Sequence, residues 1–187
     1  MTARAADPRK LDMRGFSRDS AVLEGLLPHG ELTRLAASLM PPLADGSPPS
    51  VRWSAHGAQR LRSGGEPEIW LHLQGDTVVR LECQRCLQPL SEALRVDRHL
   101  RFVVGEDEAA RLDEDSEDDV LALVARLDVL ELLEDELILA LPLVPRHAVC
   151  PVPLAPVPAD DGAAALEESR PHPFAALAAL RGKPPPN

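Results

Sequence analysis

The segment Leu127–His147, LDVLELLEDELILALPLVPRH, constrains the fold more than any other part of the sequence. On a helical projection its apolar residues share one broad face, and its acidic residues gather on the opposite face. The apolar face holds Val129, Leu130, Leu133, Leu137, Ala140 and Leu141, and the acidic face holds Asp128, Glu131, Glu134 and Asp135. Asp128 is the expected N-cap, and Pro142 and Pro145 end the helix. The pattern predicts an amphipathic helix that closes over another element.

That other element is predicted to be a sheet. Three segments alternate between apolar and polar residues, as strands do, and the short connections between them favour an antiparallel meander. The segments are Val51–Arg62, Glu68–Glu82 and Leu90–Val104. A further apolar segment, Val120–Ala125, fits either a strand or a buried helical turn. The sequence therefore predicts an α+β fold: an antiparallel sheet, open or curled toward a barrel, covered by the main helix and by a shorter one near Glu31–Met40.

The domain organisation follows from composition. Residues 1–150 are expected to form one domain, interrupted by a solvated acidic loop at 105–119 in which Arg111 is the single basic residue. Residues 151–187 are expected to form a Pro/Ala-rich tail that carries a short helix near 173–181. Near the N-terminus, Arg9–Phe16 is expected to be extended and to pair with the sheet.

The two cysteine-containing pairs have the composition of a zinc site. Cys83-x-x-Cys86 and His147-x-x-Cys150 would supply three thiolates and one imidazole, the ligands of a structural Cys3His centre. The same residues also fit a plainer interpretation, as a strand thiol and ordinary loop residues. A redox-active Cys-x-x-Cys is disfavoured, because such sites place the first cysteine at a helix N-terminus and this pair lies in a predicted hairpin.

The charge distribution limits the expected partners. A net charge of −10 argues against a protein that binds nucleic acid through a basic surface overall. A local basic surface could nevertheless contact RNA phosphates, since guanidinium groups bind phosphate bidentately. The candidate residues are Arg80, Arg85, Arg95, Arg98 and Arg101. They also fit solvated strand faces. With aromatic residues at 3%, a base-stacking platform is not expected.

Nothing in the sequence indicates catalysis. There is no P-loop, dinucleotide-binding glycine pattern, Gly-x-Ser-x-Gly or His-Glu-x-x-His motif, and the histidines are scattered without evident partners. The N-terminal residues lack the apolar region of a secretory signal, and no apolar run is long enough to span a membrane. Three cysteines do not suggest a disulfide framework. We therefore expect a non-catalytic cytoplasmic protein.

Three motifs together resemble the bacterial YceD family, the large ribosomal RNA subunit accumulation proteins. They are LECQRC at Leu81–Cys86, the segment Leu127–His147 followed by Cys150, and PFAALAAL at Pro173–Leu180. The stretch Glu134–His147 carries most of the specificity. The resemblance implies a cytoplasmic protein that supports accumulation of 23S ribosomal RNA, and it brings no catalytic residues.

The resemblance also bears on ligands and partners. Family members that carry four cysteines have the pattern of metal ligands, and here His147 and Cys150 occupy the region of the second pair. The expected partners are large-subunit rRNA or its precursor, or a large-subunit ribosomal protein. The alternative is a protein–protein adaptor that recruits an RNA-processing or transcription component without contacting RNA.

Overall fold

The computed structural model describes residues 6–41, 48–61 and 65–152. The chain divides into two units, Met1–Pro151 and Val152–Asn187. The helix predicted near 173–181 lies outside the described residues, as does Arg62 at the end of the first predicted strand. Among the described residues no helix is long and apolar enough to span a bilayer.

The first unit is built on a five-stranded sheet with its strands in sequence order. The strands are β1 (Val22–Pro28), β2 (Ser50–Arg60), β3 (Glu68–Glu82), β4 (Pro89–Val103) and β5 (Asp119–Ala122). Neighbours are antiparallel from β1 to β4, and β5 is parallel to β4. The three predicted strands correspond to β2, β3 and β4, and the ambiguous apolar segment contributes β5. The α+β prediction is confirmed. Because β1 and β5 lie at opposite ends of the strand order, the sheet is open rather than a closed barrel.

Four helices accompany the sheet in the part of the chain that the structure describes. They are α1 (Met13–Arg18), α2 (Thr33–Ala37), α3 (Glu106–Glu114) and α4 (Val129–Leu139), with a short 3-10 turn at His29–Glu31. The predicted N-cap of the main helix is confirmed, because Asp128 Oδ1 accepts hydrogen bonds from the backbone N–H groups of Leu130 and Glu131, each at 3.0 Å. Leu133 and Leu137 are fully buried.

A glycine lets α4 lie directly on the sheet. A Cβ atom at Gly75, in the middle of β3, would lie 2.7 Å from Leu133 Cδ1. The close approach of Leu133 to Gly75 identifies the face of the sheet that α4 covers. The β3 residues on this face, such as Leu71 and Leu73, are fully buried. The alternate residues, including His72 and Asp76, point away from α4. We call this second surface the open face.

Two predicted segments differ from the structure. In the segment Arg9–Phe16, which was predicted to be extended, Leu11 forms an isolated bridge with Leu127, but the residues from Met13 onward belong to helix α1. Asp12 caps this helix by accepting from the Arg14 N–H. The predicted acidic loop at 105–119 is corrected as well, because Glu106–Glu114 forms α3. Its acidic first turn lies at the positive end of the helix dipole, and buried Ala109 anchors it.

Glu134 is the main departure from the helical projection. It was assigned to the solvated face of α4, but it is only 7% exposed. Its Oε1 accepts hydrogen bonds from the backbone N–H groups of Arg34 at 2.7 Å and Leu35 at 3.1 Å. These N–H groups belong to the first turn of α2, where the helix itself supplies no acceptor. Glu134 therefore caps a helix that lies 100 residues away in the sequence.

Candidate metal centre

Two loops bring the four predicted ligands together. Cys83 and Cys86 lie in the tight connection between β3 and β4, and His147 and Cys150 lie in the segment after α4. The connection is folded by a hydrogen bond from the Leu87 N–H to the Cys83 carbonyl at 2.9 Å. The Gln84 N–H donates to the Pro145 carbonyl at 2.9 Å, which holds the second segment against the first. Backbone hydrogen bonds thus help to align the two pairs.

The ligand atoms have the spacing of a tetrahedral site. Cys83 Sγ lies 3.9 Å from Cys150 Sγ, and Cys86 Sγ lies 3.4 Å from His147 Nδ1. All four ligand atoms lie within 4.8 Å of one another. A zinc ion with Zn–S bonds of about 2.3 Å would separate its tetrahedral ligands by about 3.8 Å. The four side chains could therefore hold such an ion with small adjustments.

The imidazole is oriented for ligation through one nitrogen. His147 Nε2 lies 3.1 Å from the Pro89 carbonyl oxygen, which can only accept a hydrogen bond. The proton is therefore assigned to Nε2, and Nδ1 keeps its lone pair toward Cys86. A hydrogen bond from the second imidazole nitrogen to a carbonyl is the usual support of a metal-bound histidine.

The surroundings of the thiols favour the thiolate form of Cys83 and disfavour that of Cys86. Burial raises the pKa of the Cys83 thiol, but backbone N–H donors from His147, Cys86 and Arg85 outweigh burial and lower that pKa to about 5. The pKa of Cys86 is raised, first by burial and also by its interactions with the other two thiols. A metal ion would remove this conflict, because it stabilises all three thiolates at once.

Arg85 belongs to this centre. Its Nε donates to Cys150 Sγ at 3.0 Å, and its Nη2 donates to the His147 carbonyl at 3.0 Å. The Cys150 contact raises the pKa of the guanidinium. Three thiolates and one divalent ion would carry a net charge of −1, which Arg85 would offset. The sequence analysis predicted Arg85 only as a contact for RNA phosphate.

The centre is closed by protein ligands and lies at the edge of the core. Cys83 is fully buried, and Cys86 and Cys150 pack against the hydrophobic cluster. Four protein ligands leave no open coordination position, as in structural rather than catalytic zinc sites. Neither Cys83 nor Cys86 begins a helix, so the helix N-terminus that redox-active pairs use is missing here.

The five candidate arginines do not form one surface. Arg80 and Arg95 lie on the open face, where Arg80 donates to the Pro41 carbonyl and Arg95 pairs with Asp76 at 3.0 Å. Arg85 lies at the metal centre.

The last two arginines are bound to carboxylates. Arg101 is on the open face but its side chain is only 16% exposed, and it pairs with Glu68 at 2.9 Å. Arg98 is on the face that carries α4, and it pairs with Glu136 at 2.8 Å. The Arg101 side chain is therefore largely buried, whereas the Arg98 side chain stays about half exposed and is held by Glu136.

The histidines are less scattered than the sequence indicated. His56, His72 and His99 lie opposite one another on β2, β3 and β4. The hairpin register accounts for this arrangement. Because Glu82 pairs with Pro89, the residue ten positions earlier on β3 must pair with the residue ten positions later on β4, and these residues are His72 and His99. Arg52, opposite Asp76 on the same face, was missed because β1 and the β2 register were not predicted.

Comparison with known proteins places the chain in a family. Residues 71–181 match the family described as large ribosomal RNA subunit accumulation protein YceD. A curated protein of that name from Haemophilus influenzae is 37% identical over 106 residues, which are 56% of this chain and 61% of the relative. The chain thus matches less than two thirds of the relative's length. No solved structure shows a significant match. The family match includes all four candidate ligands and α4 and covers more than half of the 187 residues, so the chain belongs to the YceD family.

Proposed function

We propose that this protein is a non-catalytic cytoplasmic factor that supports accumulation of large-subunit ribosomal RNA by binding a precursor of that RNA or a large-subunit ribosomal protein. The observation that carries the proposal is the family match, which runs through the β3–β4 hairpin, α4 and the four candidate ligands. The family description names accumulation of an RNA and no reaction. A closed set of four ligands agrees with a structural rather than a reactive centre.

The centre would hold one structural zinc ion, which fastens the β3–β4 connection to the segment after α4. Protein purified without a histidine tag should retain one zinc ion per chain after dialysis. Cys150→Ser should lose that zinc, and a chelator should lower the unfolding temperature of the parent but not of the variant. Parent protein without zinc, and with the same unfolding temperature in chelator, would exclude the metal.

The RNA contact is proposed on the open face around Arg80 and Arg95. Arg95 has a side chain that is 81% exposed, and its partner Asp76 is itself 56% exposed, so phosphate could compete for the guanidinium. Arg52 lies across from Asp76 on β2 and extends the same basic group. Arg85 lies at the candidate metal centre and is not proposed to contact RNA. Arg98 and Arg101 are proposed to stabilise the domain through their ion pairs rather than to bind RNA.

A ribosomal protein would use a different surface. Helix α3 and the residues that follow it are strongly acidic, and most of these side chains are exposed. Basic ribosomal proteins would be attracted to this surface in a salt-dependent way. The contact requires no RNA, so it supports the form of the proposal in which the protein binds a large-subunit ribosomal protein.

Crosslinking and sequencing of RNA bound in growing cells would test the RNA contact. Arg80→Glu combined with Arg95→Glu should abolish enrichment of large-subunit precursor RNA. The matched control is Arg14→Glu combined with Arg18→Glu, which makes the same charge change at two exposed positions on α1.

Each outcome of that experiment has a meaning. Equal loss in both double variants would mean that only overall charge matters. No RNA above background in the parent would exclude direct binding. In that case, salt-sensitive copurification of a basic ribosomal protein that is lost on Glu106→Lys with Asp107→Lys would favour binding to a ribosomal protein. Copurification of an RNA-processing or transcription component instead would favour the adaptor.

A further inference from the structure

A row of histidines crosses the open face of the sheet at the middle of the hairpin. His72 on β3 lies opposite His56 on β2 and His99 on β4. The His72 and His99 rings are stacked, with centroids 4.1 Å apart and planes 11° from parallel. The His56 ring lies 6.0 Å from that of His72. The row is away from the core and from α4, so it does not serve the packing of the domain.

A carboxylate completes the cluster. Asp97 precedes His99 by two residues on β4, and side chains two apart on a strand share a face. Its Oδ1 lies 2.6 Å from His72 Nε2. One ring nitrogen of each of the two histidines and a carboxylate oxygen of Asp97 lie within 4.8 Å of one another. The Asp97 side chain is 55% exposed and that of His72 is 30% exposed, so the group is open to solvent.

The chemistry of these three groups suits a transition-metal ion. Imidazole nitrogen is a preferred ligand of zinc, copper and nickel, and a carboxylate is a common third ligand. The sheet fixes the three Cα positions, and the exposed side chains need only turn about their own bonds. Stacked rings cannot both direct a nitrogen at one ion, so His99, which is exposed, must rotate away from His72 on binding.

We propose that His72, Asp97 and His99 form a second metal site on the open face, which takes a divalent ion of the zinc, nickel and copper group. The remaining coordination positions face solvent and are filled by water, with His56 beside them. The site differs from the Cys3His centre in three respects that matter for binding: it has no thiolate, it is open to solvent, and it lies roughly 35 Å away along β3. It therefore binds more weakly and exchanges its ion more readily. It depends neither on the proposed RNA role nor on occupancy of the Cys3His centre.

Zinc titration of the full-length protein, followed by calorimetry, tests the proposal. The protein is first given one equivalent of zinc, which the thiolate centre would take, and zinc is then added further. The parent should bind one additional zinc ion per chain. Asp97→Asn should weaken this second event by at least about tenfold, because even loss of a residue that only supports a ligand costs about 10–100-fold in metal affinity. His72→Gln combined with His99→Gln should abolish it.

Asp76→Asn is the matched control. Asp76 is also a carboxylate on the open face, and it is also bonded to a basic side chain, Arg95. This variant should bind the second zinc ion as the parent does. In NMR spectra, the imidazole signals of His72 and His99 should shift with the second equivalent of zinc in both proteins.

Three results would overturn the proposal. These are no zinc in the parent beyond the amount that Cys150→Ser removes, an exposed event that Asp97→Asn and Asp76→Asn weaken equally, and an exposed event that survives loss of both histidines. The variants change the half-buried His72 and exposed residues, and an unchanged unfolding temperature without zinc would show that each is folded. If the Cys3His centre binds no zinc, the exposed event would appear with the first equivalent, and its dependence on Asp97 and on the two histidines would test the assignment there.

Discussion

Replacing Glu134 with alanine should destabilise the domain by about 3 kcal/mol. The carboxylate accepts the N–H groups of Arg34 and Leu35, and a third bond comes from Arg34 Nε at 3.1 Å. Leu35 is fully buried, so its N–H would remain unsatisfied at a cost of about 2 kcal/mol, within the usual range for such groups. The Arg34 N–H is nearer solvent and adds about 1 kcal/mol. The ion pair adds only about 0.5 kcal/mol, because the Arg34 side chain is 48% exposed and keeps Asp135 as a partner. The better helix propensity of alanine offsets about 0.4 kcal/mol.

Urea unfolding followed by circular dichroism would measure this difference. The matched control is Glu131→Ala, the same change one turn earlier on α4 at an exposed side chain, which should alter stability by less than about 0.5 kcal/mol. Glu134→Gln keeps one acceptor oxygen and should fall between the two. At about 2–4 °C per kcal/mol for a domain of this size, Glu134→Ala should lower the unfolding temperature by about 6–12 °C. Equal effects of Glu134→Ala and Glu131→Ala would refute the capping role.

Three further predictions concern other parts of the domain. Gly57→Ala should cost about 1–3 kcal/mol in urea unfolding, because its Cβ would lie 2.7 Å from the backbone oxygen of Phe16 and α1 would have to move off β2. His29 is buried, and burial lowers its pKa in the folded state, so its contribution to stability is complete above the unfolded pKa of about 6.5 and is lost as pH falls below it. His29→Gln should therefore reduce the loss of stability between pH 7.5 and 5.5. Arg85→Gln should weaken zinc binding by about 10–100-fold in a competition assay with a chelator, because the Cys150 thiolate loses its donor.

Each of these variants has a control. Gly65→Ala introduces a Cβ with no atom within 4 Å and should be nearly neutral. Arg146→Gln removes an exposed guanidinium from the ligand-bearing segment and should leave zinc affinity unchanged. For His29 the control is Gln59→Ala, a change between neutral residues at an exposed position of β2, whose pH response should match the parent. If Arg85→Gln and Arg146→Gln bound zinc equally well, Arg85 would have no part in the centre.

Local patterns determined a large part of this fold. Alternation predicted β3 with the bounds that the structure has, and the helical period with the Asp128 cap predicted α4. Both signals are local, because each depends on side chains that follow one another along one element. The spacing of the two ligand pairs predicted their identity for the same reason, since a tight turn directs both members of a pair to one side.

Errors arose where a residue's environment is set by distant chain segments. Glu134 has the same local pattern as Glu131, and only the position of α2 against α4 separates the buried carboxylate from the exposed one. The acidic residues at 106–114 were predicted to form a loop. In the structure, burial of Ala109 and a hydrogen bond from the Val120 N–H to Asp113 Oδ1 stabilise them as α3. The local sequence pattern gives no information about such contacts.

The sequence by itself determined the α+β class, the principal helix, the main hairpin and the four residues that could bind one metal ion. Tertiary structure alone decided which face and which partner each arginine has. The strand register places Arg95 on the open face, and it places Arg98 on the face that carries α4, against Glu136. It also assembled the histidine row and the buried cap of α2. The physical reason is that periodicity fixes which residues share a face, whereas only strand register and helix docking fix what that face meets.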